Sequence, residues 1–254
     1  MEKRLYWHCK NDKLEEISLK DAFPFIAEKH HIISLVGAGG KTTTMYELAT
    51  EAAGQGVHTL VTTTTHIGIP EQEHVWADSV ENLRQIWEHG GYGVMGVMVQ
   101  GKKLAQLPEK EFYGAVHMSE MVFLEADGAK CLPCKVPAEH EPVLIPECDI
   151  VIGVVGLDTI GQPAEQVCFR LGETMELLQI HPEHRMCEEE LVRILISDKG
   201  THKNVHDREY YIVLNKCDDE DKKKSAKHMA ELLREAGMKH VVISGRYEGG
   251  DTYV

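Results

Sequence analysis

Residues 32–44 read Ile32-Ile33-Ser34-Leu35-Val36-Gly37-Ala38-Gly39-Gly40-Lys41-Thr42-Thr43-Thr44, a short apolar strand, a glycine turn, then Lys-Thr opening a helix. That order suits a polyphosphate. Glycines let backbone N–H groups close on phosphate oxygens with no Cβ in the way, and a helix start adds unpaired donors and a positive dipole end. Lys41 supplies charge for the β- and γ-phosphates, and Thr42 supplies a hydroxyl for Mg²⁺. Gly37, Ala38, Gly39, Gly40, Lys41, Thr42 and Thr43 are therefore the expected phosphate-binding residues. The spacing is shorter than the common form: the glycine usually found six residues before the lysine is Leu35 here.

The shortened pattern Gly37-x-x-Gly40-Lys41-Thr42 resembles the loop of Mur-type ligases and of some metabolic ATPases. Three more segments follow apolar runs, at the strand ends where open α/β sheets gather ligands. Glu125-Ala126-Asp127-Gly128 follows 121–124, with Asp127 expected on the metal side and Glu125 placing water, or the reverse. Asn215-Lys216-Cys217-Asp218 follows 211–214. An aspartate there can accept two bonds from the guanine edge, Asn215 can bond the base, and the Lys216 stem can cover the ring, a pattern that favours GTP over ATP. Thr62-Thr63-Thr64-Thr65-His66 ends a β-branched run, and Thr65 is the residue expected to reach the metal or γ-phosphate. Asp158, in Gly156-Leu157-Asp158-Thr159-Ile160-Gly161, competes with Asp127 as γ-phosphate sensor, and Arg170 is a remote candidate for an arginine finger.

Residues 130–142 form a proline-rich connection rather than a helix. Cys131 and Cys134 have metal or redox spacing, but no second Cys-x-x-Cys closes a zinc site, and two reduced thiols are the expectation. The other cysteines are scattered, seven in all, which suits a reducing compartment. A formal charge of −14 argues against nucleic acid or an anionic membrane as partner. The N-terminus, Met1-Glu2-Lys3-Arg4-Leu5, lacks the apolar core of a secretory signal, and no apolar run reaches the roughly 18 residues of a membrane span. A cytoplasmic location is expected.

The elements that must position these residues alternate. Helices are expected at 18–29 (capped by Ser18, with Phe23, Ile26 and Ala27 on one face), 43–53, 79–89, 188–196 and 220–236. Strands are expected at 58–62, 121–124, 150–155, 211–214 and 240–243, and a small hairpin near 92–107 turns at Gly101-Lys102. Uniformly apolar strands are covered on both faces. The expectation is an α/β fold, a P-loop-type doubly wound and mostly parallel sheet flanked by helices, in one domain over 1–254.

Val36-Gly37-Ala38-Gly39-Gly40-Lys41-Thr42-Thr43, Thr63-Thr64-Thr65-His66, Glu125-Ala126-Asp127-Gly128-Ala129-Lys130, Leu132-Pro133 and Pro137-Ala138-Glu139-His140-Glu141-Pro142 together resemble the YqeC family, with Asn215-Lys216-x-Asp218 adding to the likeness. The run from Glu125 to Pro142 is the specific part. The resemblance implies a P-loop NTPase-like accessory protein of selenium-dependent molybdenum hydroxylases. The expected activity is a Mg²⁺-dependent nucleoside triphosphatase, GTP preferred. Two alternatives stand beside it: a Mur-like ATP-dependent ligase or small-molecule kinase, and a non-catalytic metal or selenium carrier using the Cys131/Cys134 loop.

Overall fold

Period-two alternation in the apolar strands decides how the sheet is covered. In Met121–Glu125, Met121 and Phe123 join one core cluster while Val122 and Leu124 join the other. In Ile150–Gly156, Ile150, Ile152 and Val154 divide in the same way from Val151 and Val155. Each strand thus presents apolar side chains to both faces, which only a sheet with helices on both sides can bury. The computed structural model describes residues 4–69, 75–99 and 103–246.

The main sheet has nine strands. In spatial order they are Lys13–Ile17, Arg4–Lys10, His240–Arg246, Glu209–Asn215, Ile150–Gly156, His31–Gly37, Met121–Glu125, Thr59–Thr63 and Gly93–Val94. All but the N-terminal hairpin run parallel. Helices Lys41–Gly54, Val80–Glu88, Glu109–Met118, Glu188–Ile196 and Glu220–Glu235 fall between these strands along the chain. From His31–Gly37 the chain winds first toward Thr59–Thr63 and Met121–Glu125, then to the opposite side from Ile150–Gly156 onward. The reversal lies between His31–Gly37 and Ile150–Gly156, where sheets of this kind leave a crevice at the strand ends. Among the described residues no helix is long and apolar enough to cross a membrane.

Several expectations shift in detail. Gly93–Val94 extends the main sheet, while Val97–Val99 and Lys103–Ala105 pair antiparallel as the expected hairpin and recruit His66–Gly68 as a third strand. Its turn at Gly101-Lys102 lies outside the described residues. The helix expected over 18–29 is two short pieces, Leu19–Ala22 capped by Ser18 and a 3₁₀ turn Pro24–Ala27, because Pro24 cannot donate to a continuing helix.

That broken segment buries Phe23 completely, against Tyr6, Phe25 and Tyr211 at ring separations of 6.2, 5.9 and 5.9 Å. The cluster joins the N-terminal hairpin to the parallel sheet. Phe23→Ala is expected to destabilise the fold by about 3–5 kcal/mol in urea unfolding; a loss below about 1 kcal/mol would contradict this packing role.

Candidate functional site

Strand register carries the carboxylates to the loop. Phe123 faces the cluster that contains Met45 and Leu48 of the helix Lys41–Gly54, so Glu125, two residues on, points to that same side. Thr42 Oγ1 donates to Glu125 Oε2 at 2.8 Å. Asp127, just past the strand, accepts from the Gly37 amide at 3.1 Å through Oδ2. Its Oδ1 sits 2.8 Å from Lys41 Nζ, which also donates to the Gly37 carbonyl at 2.6 Å. Glu125 Oε1 is 4.0 Å from the same ammonium.

A second cation, Lys135 of the connection that carries Cys131 and Cys134, completes the arrangement. Lys135 Nζ lies 3.1 Å from Asp127 Oδ2 and 2.7 Å from Glu141 Oε2, and donates to the Gly128 carbonyl at 2.6 Å. Glu141 in turn accepts two bonds from Arg170, Nε and Nη2, each at 3.0 Å. The result is an alternating string, Glu125–Lys41–Asp127–Lys135–Glu141–Arg170, with side-chain exposure of 3% at Lys41, 1% at Asp127 and 0% at Lys135. Burial disfavours the Lys41 ammonium, yet the Asp127 and Glu125 carboxylates outweigh it and hold its pKa above the ordinary lysine value. Burial, reinforced by the Asp127 charge, raises Glu125 against the pull of Lys41 and the Thr42 hydroxyl. For Glu141, burial acts upward, but bonds from Arg170 and Lys135 prevail and bring it from 4.5 to about 2.

The glycines are positioned by close packing. Gly37, Gly39 and Gly40 have φ of 89°, 79° and 128°. A Cβ on Gly39 would strike the backbone of Gly156, and one on Gly40 would strike Asn215 Nδ2. Two loop amides are already engaged: Ala38 donates to the Val154 carbonyl at 2.9 Å and Gly39 to the Leu132 carbonyl at 3.2 Å. The helical ladder begins with Thr44 donating to the Gly40 carbonyl at 3.0 Å, so the amides of Lys41, Thr42 and Thr43 have no helical acceptor. Unpaired donors therefore concentrate at the helix start rather than along the loop.

Asn215 reaches this loop from a separate strand: Nδ2 donates to the Gly39 carbonyl at 2.6 Å. Its Oδ1 accepts from Ser244 Oγ at 3.1 Å and from the Lys216 amide at 2.7 Å, and also from Arg4. Arg4, not singled out by sequence, binds Glu47 at 2.6 Å and Ser244 at 3.0 Å, tying the loop helix to the Asn215 strand end. Lys216 pairs with Asp158 at 2.6 Å, and Asp218 Oδ1 accepts the Arg246 amide at 2.8 Å. Asp158 thus belongs with the Asn215–Asp218 loop, whereas Asp127 holds Lys41. Thr65 contacts Thr63 Oγ1, which donates to the Glu125 carbonyl at 2.9 Å, so Thr65 shares this strand edge without touching a carboxylate.

The two cysteines diverge. Cys131 is exposed, while Cys134 is buried in a short strand with its thiol against that of Cys168. Among the described residues no group of three or more His, Cys, Asp or Glu could hold a metal ion.

The family model described as "YqeC protein" matches residues 33–172, more than half of the chain. That stretch contains every member of the charged string and leaves out Asn215–Asp218. A relative from Escherichia coli (strain K12), named "Uncharacterized protein YqeC", is 28% identical over 190 residues, covering 68% of this chain and 71% of its own.

Removing one partner from a buried pair leaves a charge that neither water nor protein satisfies. Lys135→Met is expected to cost about 3–5 kcal/mol by chemical denaturation. The depressed pKa of Glu141 means its ionised pairing adds stability above pH 4.5, which is lost as pH falls toward about 2. Glu141→Gln should flatten the acid limb of the stability curve in that window, and superimposable wild-type and variant profiles would refute the pairing.

Proposed function

The chain belongs to the YqeC family, and from that premise we propose that it is a Mg²⁺-dependent nucleoside triphosphatase that prefers GTP. The observation that carries this reading is the Lys41 ammonium, held 2.8 Å from Asp127 at a helix start whose first amides lack acceptors. In this reading the amides of Gly40, Lys41, Thr42 and Thr43 take the β- and γ-phosphates, and Lys41 swings from the Gly37 carbonyl to the phosphate oxygens. Gly37, Ala38 and Gly39 shape the turn.

The residues suit Mg²⁺. It keeps several waters and needs one or two carboxylates besides the phosphates, not a cage of acidic groups. Thr42 and Glu125, 2.8 Å apart, form an oxygen pair of that kind. We therefore assign Thr42 and Glu125 to the metal, with Thr65 in the surrounding edge, and make Asp127 the anchor of Lys41. When bound, Mg²⁺ supplies charge compensation to the β- and γ-oxygens. Two bonds to Glu141 hold Arg170 at the end of the charged string farthest from Lys41, so it is given no finger role and turnover without a partner is expected to be slow.

Guanine selectivity rests on Asn215, Lys216 and Asp218. Asn215 couples this loop to Gly39 directly, and Asp218 retains one carboxylate oxygen beyond its bond to Arg246. As the family resemblance implies, we assign the partner to a selenium-dependent molybdenum hydroxylase or its maturation machinery. A preference for ATP with a phosphorylated or amidated product would instead assign the chain to the ligase or kinase class.

A thermal-shift panel of Mg²⁺ with GTP, ATP and their diphosphates is the direct test. Wild type should be stabilised by Mg²⁺–GTP most, and Lys41→Ala should show no shift with any nucleotide. Asp218→Asn should weaken GTP by about tenfold or more, the loss of a charge-assisted bond, with ATP little changed. Equal loss for both nucleotides would remove the guanine assignment.

A further inference from the structure

The groups around Phe169 have no task in the phosphate-loop chemistry. Three cations surround this ring: Arg170 Cζ at 5.1 Å from the centroid, Lys130 Nζ at 5.3 Å and Lys135 Nζ at 5.7 Å. Lys135 is buried and fully engaged by Asp127, Glu141 and the Gly128 carbonyl. Arg170 is one-quarter exposed and gives two of its five N–H donors to Glu141, leaving three. Lys130 is exposed, and the ring contact is the interaction it makes among the described residues. Its three ammonium donors have no acceptor there.

This concentration of positive charge stands out in a chain of net charge −14. Glu141 is already shared by Lys135 and Arg170, and Glu173 lies near enough to act on the Arg170 charge from beyond ion-pair distance. The aromatic face partly offsets the repulsion among the cations, but it accepts no strong hydrogen bond. An oxyanion would satisfy both the charge and the open donors.

Position adds the second argument. The segment that carries Lys130 lies directly on the phosphate loop: the Leu132 carbonyl accepts the Gly39 amide at 3.2 Å, and the Pro133 carbonyl accepts the Gly156 amide at 2.9 Å. Through Lys135 and Asp127 the cluster is also two ion pairs, of 3.1 and 2.8 Å, from Lys41.

We propose that Lys130, Arg170 and the Phe169 ring form the receptor for a phosphate-type oxyanion on a small second substrate. Its placement beside a nucleotide rests on the phosphate-loop reading, whereas the receptor itself does not. Lys130 and the free edge of Arg170 grip the oxyanion, and the Glu141 pair holds the guanidinium in orientation. The loop lysine is not part of the grip.

The test titrates inorganic phosphate calorimetrically into the full chain as wild type, Lys130→Gln, Arg170→Gln and Lys41→Ala, with Mg²⁺–ADP titrated in parallel. Phosphate should bind about tenfold or more weakly to Lys130→Gln and Arg170→Gln, and keep its affinity in Lys41→Ala. Mg²⁺–ADP should show the reverse dependence. Because Arg170→Gln also loosens the Glu141 pair, the surface change Lys130→Gln decides. Wild type that binds no phosphate, or binding that survives Lys130→Gln undiminished, overturns the receptor. If wild type ignores Mg²⁺–ADP while phosphate behaves as expected, the nucleotide reading falls and the receptor stands.

Discussion

A carboxylate with 1% side-chain exposure at Asp127 is the constraint around which the candidate site is organised. Moving an ion out of water costs several kcal/mol, recovered only when opposite charge and hydrogen bonds surround it. Lys41, Lys135 and the Gly37 amide meet that demand from three separate stretches of chain. Each answer then creates a new demand. Lys135 is itself buried and needs Glu141, and Glu141 needs Arg170, where the string finally reaches solvent. Satisfying one buried charge therefore fixes the relative positions of the loop, the end of Met121–Glu125, the 133–142 segment and the start of Leu171–Leu178.

The same logic explains the short loop. Glycine is required at Gly39 because the backbone of Gly156 lies where a side chain would start, and at Gly40 because Asn215 does. These are packing reasons, separate from approach to a phosphate. With the Ala38 and Gly39 amides bonded to neighbouring carbonyls, the loop does not wrap an anion along its length. Donors remain at the helix start, where the dipole acts in the same direction.

Much of this was legible in the sequence. The glycine run, the apolar strands and the carboxylates at a strand end all follow from local pattern, and period-two alternation carries Glu125 to the helix face. Lys135, Glu141 and Arg170 were not legible as a set. Nothing local links Glu141 to a residue 29 positions later, and charged residues among prolines look like a solvated connection. Arg4 was missed for a different reason. The N-terminal hairpin has polar, mixed strands, and its signal is the two-residue turn Asn11-Asp12, both with positive φ (49° and 58°), a pair that tolerates the left-handed region. Pro24 likewise should have divided the 18–29 helix.

Lys41 cannot serve its buried partners and a polyphosphate in the same way. Its ammonium donates to the Gly37 carbonyl and forms an ion pair with Asp127 at 2.8 Å. A phosphate that draws the ammonium away leaves Asp127 more dependent on Lys135, and Lys135 is the group that holds Glu141. The string ends at Arg170, which is one-quarter exposed and lets water screen the last charge. The physical link between the glycine loop and the Phe169 surface is this chain of ion pairs.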